Sequence, residues 1–372
     1  MSLKLIHTAD VHLGARLKYL GDKANEHRVT IEKTFQKVIT KAIDSNADVF
    51  VVAGDLFDNP FPDKRYIDLV INELNKLLAN DIYVVIVPGN HDRLAAGSVY
   101  LSDSFNITNP KFKLFSSKEF EQWVIPELEL TIHAKGLYEQ KSKQSQLTGL
   151  KKNDSSKYNV AVVHGSVDII AEPDNYPIFQ KDIQGLDFDY LALGDWHSSL
   201  KVDSGKTTAW YSGSPEVISV SQKGAGHCLL VTIDETTKVE AIDIGSRNIK
   251  ELEVDLNKYS SQAKLVDDIE KYKDDNSILL LNIKGIKELE QRIDTDRLSE
   301  QINNLFYYVR VKDNTELGLY QEELDKYPEE LVIGKYIRIL QKKKAENPQL
   351  EKEIDTALQL GVKYLKGAGD DN

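Results

Sequence analysis

The sequence predicts an α/β layered domain followed by a small α+β domain and a C-terminal helical segment. Three observations carry this. Up to about residue 245, short apolar runs alternate with stretches of helical period. From about 250 the strand and helix pattern restarts on a smaller scale, and after Gly318 only helix-like periodicity remains.

Taken in order, "LKLIHTA", "DVFVVAG", "IYVVIVPG", "YNVAVVHG" and "YLALG" read as buried strands, being apolar throughout rather than alternating. Between the first two, Ile31, Phe35, Val38 and Ala42 recur at helical spacing; between the second and third, Ile67, Val70, Ile71, Leu74 and Leu78 do the same. Strand, helix, strand in this rhythm predicts parallel pairing with helices on the faces. "HCLLVTID" and "KVEAIDI" then predict a hairpin that finishes the sheet. The segment 141–157, with five lysines against one aspartate, predicts a solvated surface loop, with a DNA-contacting lip as the sharper alternative. The expected domains are 1–245, 250–317 with "ELEVDL", "SILLLNI", a helix near 296–305 and "FYYVRV", and 318–372. In the last, Ile333, Tyr336, Ile337 and Leu340 form one stripe and Leu350, Ile354, Leu358, Val362 and Leu365 another. Asn347 is expected to cap a second helix beginning at Pro348, and "GAGDDN" to be a polar tail.

Composition narrows the function classes. The 372 residues are 41% hydrophobic, enough for a full core and for more than one domain. The single cysteine, Cys228, lies in an apolar run and reads as a core residue in a reducing compartment. No secretory leader pattern and no apolar run of bilayer-spanning length is seen, so the cytoplasm is the expected location. A formal net charge of −12 argues against a broad phosphate-binding surface, so a nucleic-acid partner must be held locally or with help.

The chemistry clusters where the strands end. "TADVH" offers Asp10 and His12, whose spacing points both side chains to one face of an extended chain. "AGDLFD" offers Asp55 after a glycine turn, "PGNHD" offers Asn90 and His91, "VVHG" offers His164, and "LGDWH" offers Asp195 and His197. Each alone is equally a turn, a cap or a satisfied core residue. Together, five strand ends deliver eight polar groups to the carboxyl edge of a parallel sheet, where α/β folds place their sites. Mixed imidazole, carboxylate and amide donors suit Mn²⁺ first, with Fe²⁺ or Zn²⁺ as alternatives. Eight candidates exceed one ion and match two divalent ions roughly 3.5 to 4 Å apart, the arrangement for in-line displacement at phosphorus.

"DVH", "GDLFD", "GNHD", "VVHG" and "GDWH" resemble the ordered motifs of the calcineurin-like metallophosphoesterases. "IHTADVHLG", "GDLFDNPFPD" and "WYSGSPE" at 210–216 further resemble the SbcD-type DNA repair exonucleases, the nuclease subunit of the SbcCD complex. The resemblance covers the first 245 residues well, the small domain in position and size only, and the tail hardly at all. It implies that Asp10, His12 and His197 hold a first ion, that Asp55 bridges, and that Asn90, His164 and Asp195 hold the second. It also implies that His91 is the general acid for the leaving ribose oxygen, that Asp92 orients His91, and that the DNA partner is shared with an SbcC-type ATPase docked on the C-terminal helices. A homodimer is a further expectation. Asp58, His7, His27, His133 and His227 are read as structural.

Asp195 departs from that family, which usually has histidine there. A carboxylate lowers the formal charge of a two-ion site from about +2 to +1, with Asp10 and Asp55 as the other anions. Two other classes stay open: a two-metal phosphoesterase acting on a nucleotide or other small phosphoester, favoured by the acidic charge, and a scaffold subunit weak in catalysis, raised by Asp195 alone.

Overall fold

The structure, a computed structural model, describes residues 2–168, 175–202, 205–221, 223–287, 295–317 and 326–367. The chain divides into two compact units, Met1–Asn248 and Ile249–Asn372. Gly318, where the helical segment was expected to begin, and the tail beyond Gly367 lie outside the described residues.

In the first unit the five apolar runs become strands Leu3–Thr8 (β1), Val49–Ala53 (β2), Tyr83–Val87 (β3), Tyr158–His164 (β7) and Tyr190–Gly194 (β10), with Ala24–Asp44 (α1) and Lys64–Ala79 (α2) as the two crossover helices. They do not form one sheet. The remaining strands are Phe112–Leu114 (β4), Glu121–Ile125 (β5), Leu130–Ala134 (β6), Ser166–Val167 (β8), Pro177–Ile178 (β9), Leu200–Val202 (β11), Thr208–Tyr211 (β12), His227–Ile233 (β13) and Thr237–Asp243 (β14). Among the described residues two six-stranded sheets result, ordered β14-β13-β1-β2-β3-β4 and β11-β12-β10-β7-β6-β5. Strands β1, β2, β3 and β4 run parallel in the first, and β12, β10, β7 and β6 in the second. The expected hairpin β13–β14 closes the far edge of the first sheet, antiparallel to β1.

The two sheets face each other. Leu5, Val51 and Val85 from the first share one buried core with Ile132, Val160, Tyr190 and Ala192 from the second. The opposite face of the first sheet takes α1 and α2, with Ile31, Phe35, Val38, Val70 and Leu74 buried. Burial on both faces is why these strands read as continuous apolar runs. The outer face of the second sheet is covered by Gln180–Gln184 (α3) and by part of the lysine-rich loop, whose Leu147 is buried with Ala161, Val163 and Leu191. That loop is therefore anchored, not wholly solvated.

In the second unit Asn248–Asp255 (β15), Gln262–Glu270 (α4), Asp274–Lys284 (β16), Thr295–Ile302 (α5) and Phe306–Asp313 (β18) make a three-stranded sheet with two helices, around Leu265, Leu279, Leu298 and Ile302. Ile286–Lys287 (β17) and Glu316–Leu317 (β19) pair in parallel. Val332–Glu346 (α6) and Glu351–Gly367 (α7) pack their stripes together through Ile337, Ile354, Leu358 and Val362. Asn347 behaves differently from the expectation. Its side-chain amide donates to Lys343 O at 3.0 Å, closing the end of α6, and makes no capping bond to the next helix, which starts at Glu351 after a 3₁₀ turn. The last turn of α6 leaves carbonyls unpaired, and an amide N–H satisfies them as well as a carboxamide oxygen satisfies an N-terminus.

Candidate metal centre

The carboxyl ends of β1, β2 and β3 in one sheet and of β7 and β10 in the other converge on one locus. The convergence is tight at two glycines. A Cβ on Gly54, which has φ +94°, would lie 2.1 Å from His164 Nδ1, and one on Gly194 would lie 1.8 Å from Ala53 O. Only glycine lets the ends of β2, β7 and β10 meet here.

The backbone at the ligand positions is bent. Asp10, His12, Asp55 and Asp195 all have positive φ, of 54°, 50°, 52° and 98°. Few non-glycine residues adopt this conformation, and it concentrates at functional sites. Neither Asp-x-His pair lies on extended chain, contrary to the expectation: left-handed turns rather than strand alternation aim the side chains. Asp10 N–H donates to Gly54 O and His12 N–H to Asp55 O, both at 3.0 Å, so the two left-handed loops brace each other.

Seven of the candidate ligands come together. One ligand atom each from Asp10, His12 and His197 lie within 4.8 Å of one another, as do those of Asp10, Asp55 and His164. Asp55 Oδ2 stands 3.6 Å from His12 Nε2 and 3.5 Å from His164 Nε2, between the two groups. His164 Nε2 donates to Asn90 Oδ1 at 3.0 Å and lies 3.7 Å from Asp195 Oδ1. Asp195 N–H donates to the Asp10 carboxylate at 3.1 Å, and the Asp195 carboxylate accepts the Ser166 hydroxyl.

His91 sits at the rim, its side chain 47% exposed. Its backbone N–H donates to Asp55 Oδ1 at 2.9 Å and its Nδ1–H to Asp58 O at 3.1 Å. It also forms a triad of candidate ligand atoms with His12 and Asp55.

Two carboxylates act otherwise than expected. Asp92 does not reach His91. It is buried and accepts the N–H groups of Leu56, Phe57 and Gly89 and the Tyr100 hydroxyl, at 2.9, 3.2, 2.7 and 2.7 Å, tying the Asp55 loop to the Asn90 loop. Asp58, read as a turn residue, accepts from His12 Nδ1–H at 3.2 Å and presents its carbonyl to His91. Ser166 was also missed; its one signal is its place two residues after His164. "WYSGSPE" supports the site from behind: Ser214 N–H donates to His197 O at 3.0 Å, and Tyr211 OH donates to Gly165 O at 2.7 Å. The histidines read as structural bond elsewhere: His7 to Tyr190 OH, His27 to Val217 O, His133 to Asn159 and His227 to Asp243.

The electrostatics suit a cation. Burial lifts the Asp10 carboxyl well above the usual carboxylate range and Asp55 to about 6. Burial pulls His164 down, but Asp55, Asp195, Asp10 and the Ala53 carbonyl outweigh it and raise His164 to about 9. Its two nitrogens both face carbonyl acceptors, Ala53 O at 3.0 Å and Asn90 Oδ1, so the raised pKa puts a proton on Nε2, which a divalent ion held by the same carboxylates would displace. His12, by contrast, is held neutral by burial, then by the charges of His91 and His164. Its Nε2 is buried with no hydrogen-bond partner and faces Asp55. A lone pair in that state, beside two or three carboxylates, fits a divalent metal of the imidazole-accepting kind.

A two-sheet α/β sandwich with helices and loops outside it, and carboxylate, imidazole and amide donors at the converging strand ends, is the plan of a metal-dependent phosphoesterase. The chain belongs to the calcineurin-like phosphoesterase family, whose sequence profile matches residues 3–205. It is a hydrolase of a family that works with divalent metals. Among its relatives are proteins named DNA double-strand break repair protein Mre11. That of Methanosarcina mazei is 27% identical over 66% of this chain and 38% of the relative. That of Methanocaldococcus jannaschii is 27% identical over 70% of this chain and 72% of the relative. That of Methanococcus maripaludis is 24% identical over 83% of each. The match thus spans well under half of the first of these proteins and most of the other two.

Proposed function

We propose that this chain hydrolyses DNA phosphodiesters with two divalent metal ions, Mn²⁺ first, as the nuclease subunit of a double-strand-break repair assembly. One observation carries the chemistry: seven donors from five strand ends converge, with a partly exposed histidine at their rim. The DNA substrate is supported by the relatives' names and by the SbcD-like stretches of the first 245 residues.

Asp10, His12 and His197 would hold one ion, Asn90, His164 and Asp195 the other, with Asp55 shared. Bound there, the ions would supply Lewis-acid polarisation of the phosphate and a more acidic attacking water. The protein's own groups do the rest. Asp58 O keeps the His91 Nδ1–H engaged, which leaves Nε2 to give a proton to the leaving ribose oxygen. Asp58 Oδ1 holds His12 Nδ1–H, and Ala53 O holds His164 Nδ1–H, so each ring turns its Nε2 inward.

The first unit is then the nuclease domain, residues 250–317 a capping domain and 318–372 a docking element for an SbcC-type ATPase. The helix pair spends its apolar stripes on itself, yet Val332 and Tyr364 remain 70% and 73% exposed, a surface open to such a partner. None of the described helices is long and apolar enough to cross a membrane, and the proposed setting is the cytoplasm.

The test is purified protein with Mn²⁺ against linear duplex and single-stranded DNA, with EDTA as control. Metal-dependent cleavage of DNA is expected. Rapid turnover of a small phosphomonoester with no cleavage of either DNA form would replace the nuclease reading with the small-substrate one.

A further inference from the structure

The first unit also has a cavity of about 570 Å³ lined by Lys118, Lys135, Tyr138, Lys141, Lys143 and Tyr176, with Glu139 as its one acidic lining residue. We infer that this cavity is a subsite for the backbone phosphates of a nucleic-acid strand whose cleaved phosphate lies at the metal centre. The inference rests on the DNA reading above and adds where the strand runs.

The charge pattern is the first reason. In a chain of net charge −12, four ammonium groups gather around one concavity. Among the described residues none of the four has a carboxylate within 4.0 Å, whereas Lys64, Lys76, Lys111, Lys113 and Lys152 of the same unit each have one. Like charges repel, and a polyanion entering among them relieves that repulsion while releasing its counterions. Lys135 is half-buried with its Nζ 4.9 Å from the Phe120 ring centroid, and Lys118 Nζ lies 4.9 Å from that of Tyr138, so aromatic faces hold both at the wall. Burial lowers the pKa of Lys135, against the weaker pull of Glu119.

Connectivity is the second reason. One wall is fastened to the loop that follows Asn90 and His91, since Leu94 N–H donates to Leu137 O at 2.7 Å. The other is fastened to the residue that holds Asp195: Tyr176 O accepts Ser166 N–H at 3.1 Å, and Tyr176 N–H donates to Ser142 O at 2.8 Å. Tyr176 is held at φ +51°, a strained conformation for a bulky residue, and its hydroxyl donates to Glu139 O. The cavity is thus tied on both sides to the segments that carry the candidate ligands. The neighbouring phosphates of one strand meet the same chemistry as a free polyphosphate, and the experiment separates the two.

The experiment measures anisotropy of a fluorescein-labelled single-stranded oligonucleotide in EDTA across a salt series. It compares the full-length wild type, the set Lys118→Ala, Lys135→Ala, Lys141→Ala and Lys143→Ala, and the same four positions changed to Arg. The alanine set should bind at least about tenfold more weakly, with the slope of log affinity on log salt shallower by about 3, while the arginine set restores both. Mn²⁺ uptake by each variant reports that the fold is intact. Equal binding by the alanine set, with the wild type still cleaving DNA, overturns the subsite alone. Absence of DNA binding in the wild type overturns the DNA reading with it. Complete displacement by tripolyphosphate at matched phosphate concentration reassigns the cavity to small polyphosphates.

Discussion

Asp92→Asn separates a residue that builds the site from one that takes part in its chemistry. In the wild type Oδ2 accepts from Leu56 N, Phe57 N and the Tyr100 hydroxyl, and Oδ1 accepts from Gly89 N. Asparagine can keep its oxygen at the first three, but its NH₂ then faces the Gly89 N–H, donor against donor. That orphans one buried N–H, at about 1 to 3 kcal/mol, and turns three charged bonds into neutral ones, at roughly 0.5 to 1 kcal/mol each. The sum is about 2.5 to 6 kcal/mol. Tryptophan fluorescence in urea is a clean assay, because Trp123, Trp196 and Trp210 all lie in the first unit. The variant should unfold at markedly lower urea and bind metal more weakly, because the Asp55 and Asn90 loops are no longer tied together. Stability within about 1 kcal/mol of wild type, with cleavage falling nonetheless, would refute this and return Asp92 to orienting His91.

His91→Ala should keep metal uptake and lose about 10² to 10⁴ in cleavage rate, measured by calorimetry and by turnover; lost uptake would make His91 a ligand, as its triad with His12 and Asp55 permits. Asp195→Ala should bind one ion well and the other poorly, and Asp195→His should restore the second. Two full ions in Asp195→Ala would make that carboxylate a partner of Ser166 and nothing more. Deleting 328–372 removes the α6–α7 pair, so cleavage should persist while co-purification with an SbcC-type ATPase is lost; unchanged association would place docking elsewhere.

Much of the first unit is legible in the sequence because burial on both faces writes strands as unbroken apolar runs, and "VFVVA" or "YNVAVVH" has no other economical reading. The ends of those runs name Asp10, Asp55, Asn90, His164 and His197 for the same reason. The split into two sheets is not legible, because apolar runs do not say which strands pair: β3 neighbours β4 rather than β7, a choice made by residues 99–134 between them. Left-handed turns at Asp10, His12 and Asp55 leave only a weak mark in residue type, since aspartate and histidine tolerate that region but occupy many others, unlike the glycine at 54. Asp58, Asp92 and Ser166 reach partners such as His12, Leu56 and Asp195, which are 46, 36 and 29 positions away, and a single chain of letters does not carry that distance. The strand-end ligands differ in being adjacent to their own signal.

The most direct test of the whole account is the number of metal ions that one chain binds. Mn²⁺ titrated calorimetrically into metal-free protein, with bound metal counted after gel filtration, should give two ions for the wild type and a loss affecting both in Asp55→Ala, whose carboxylate stands between His12 and His164. One ion in the wild type, or two in Asp55→Ala, would contradict it.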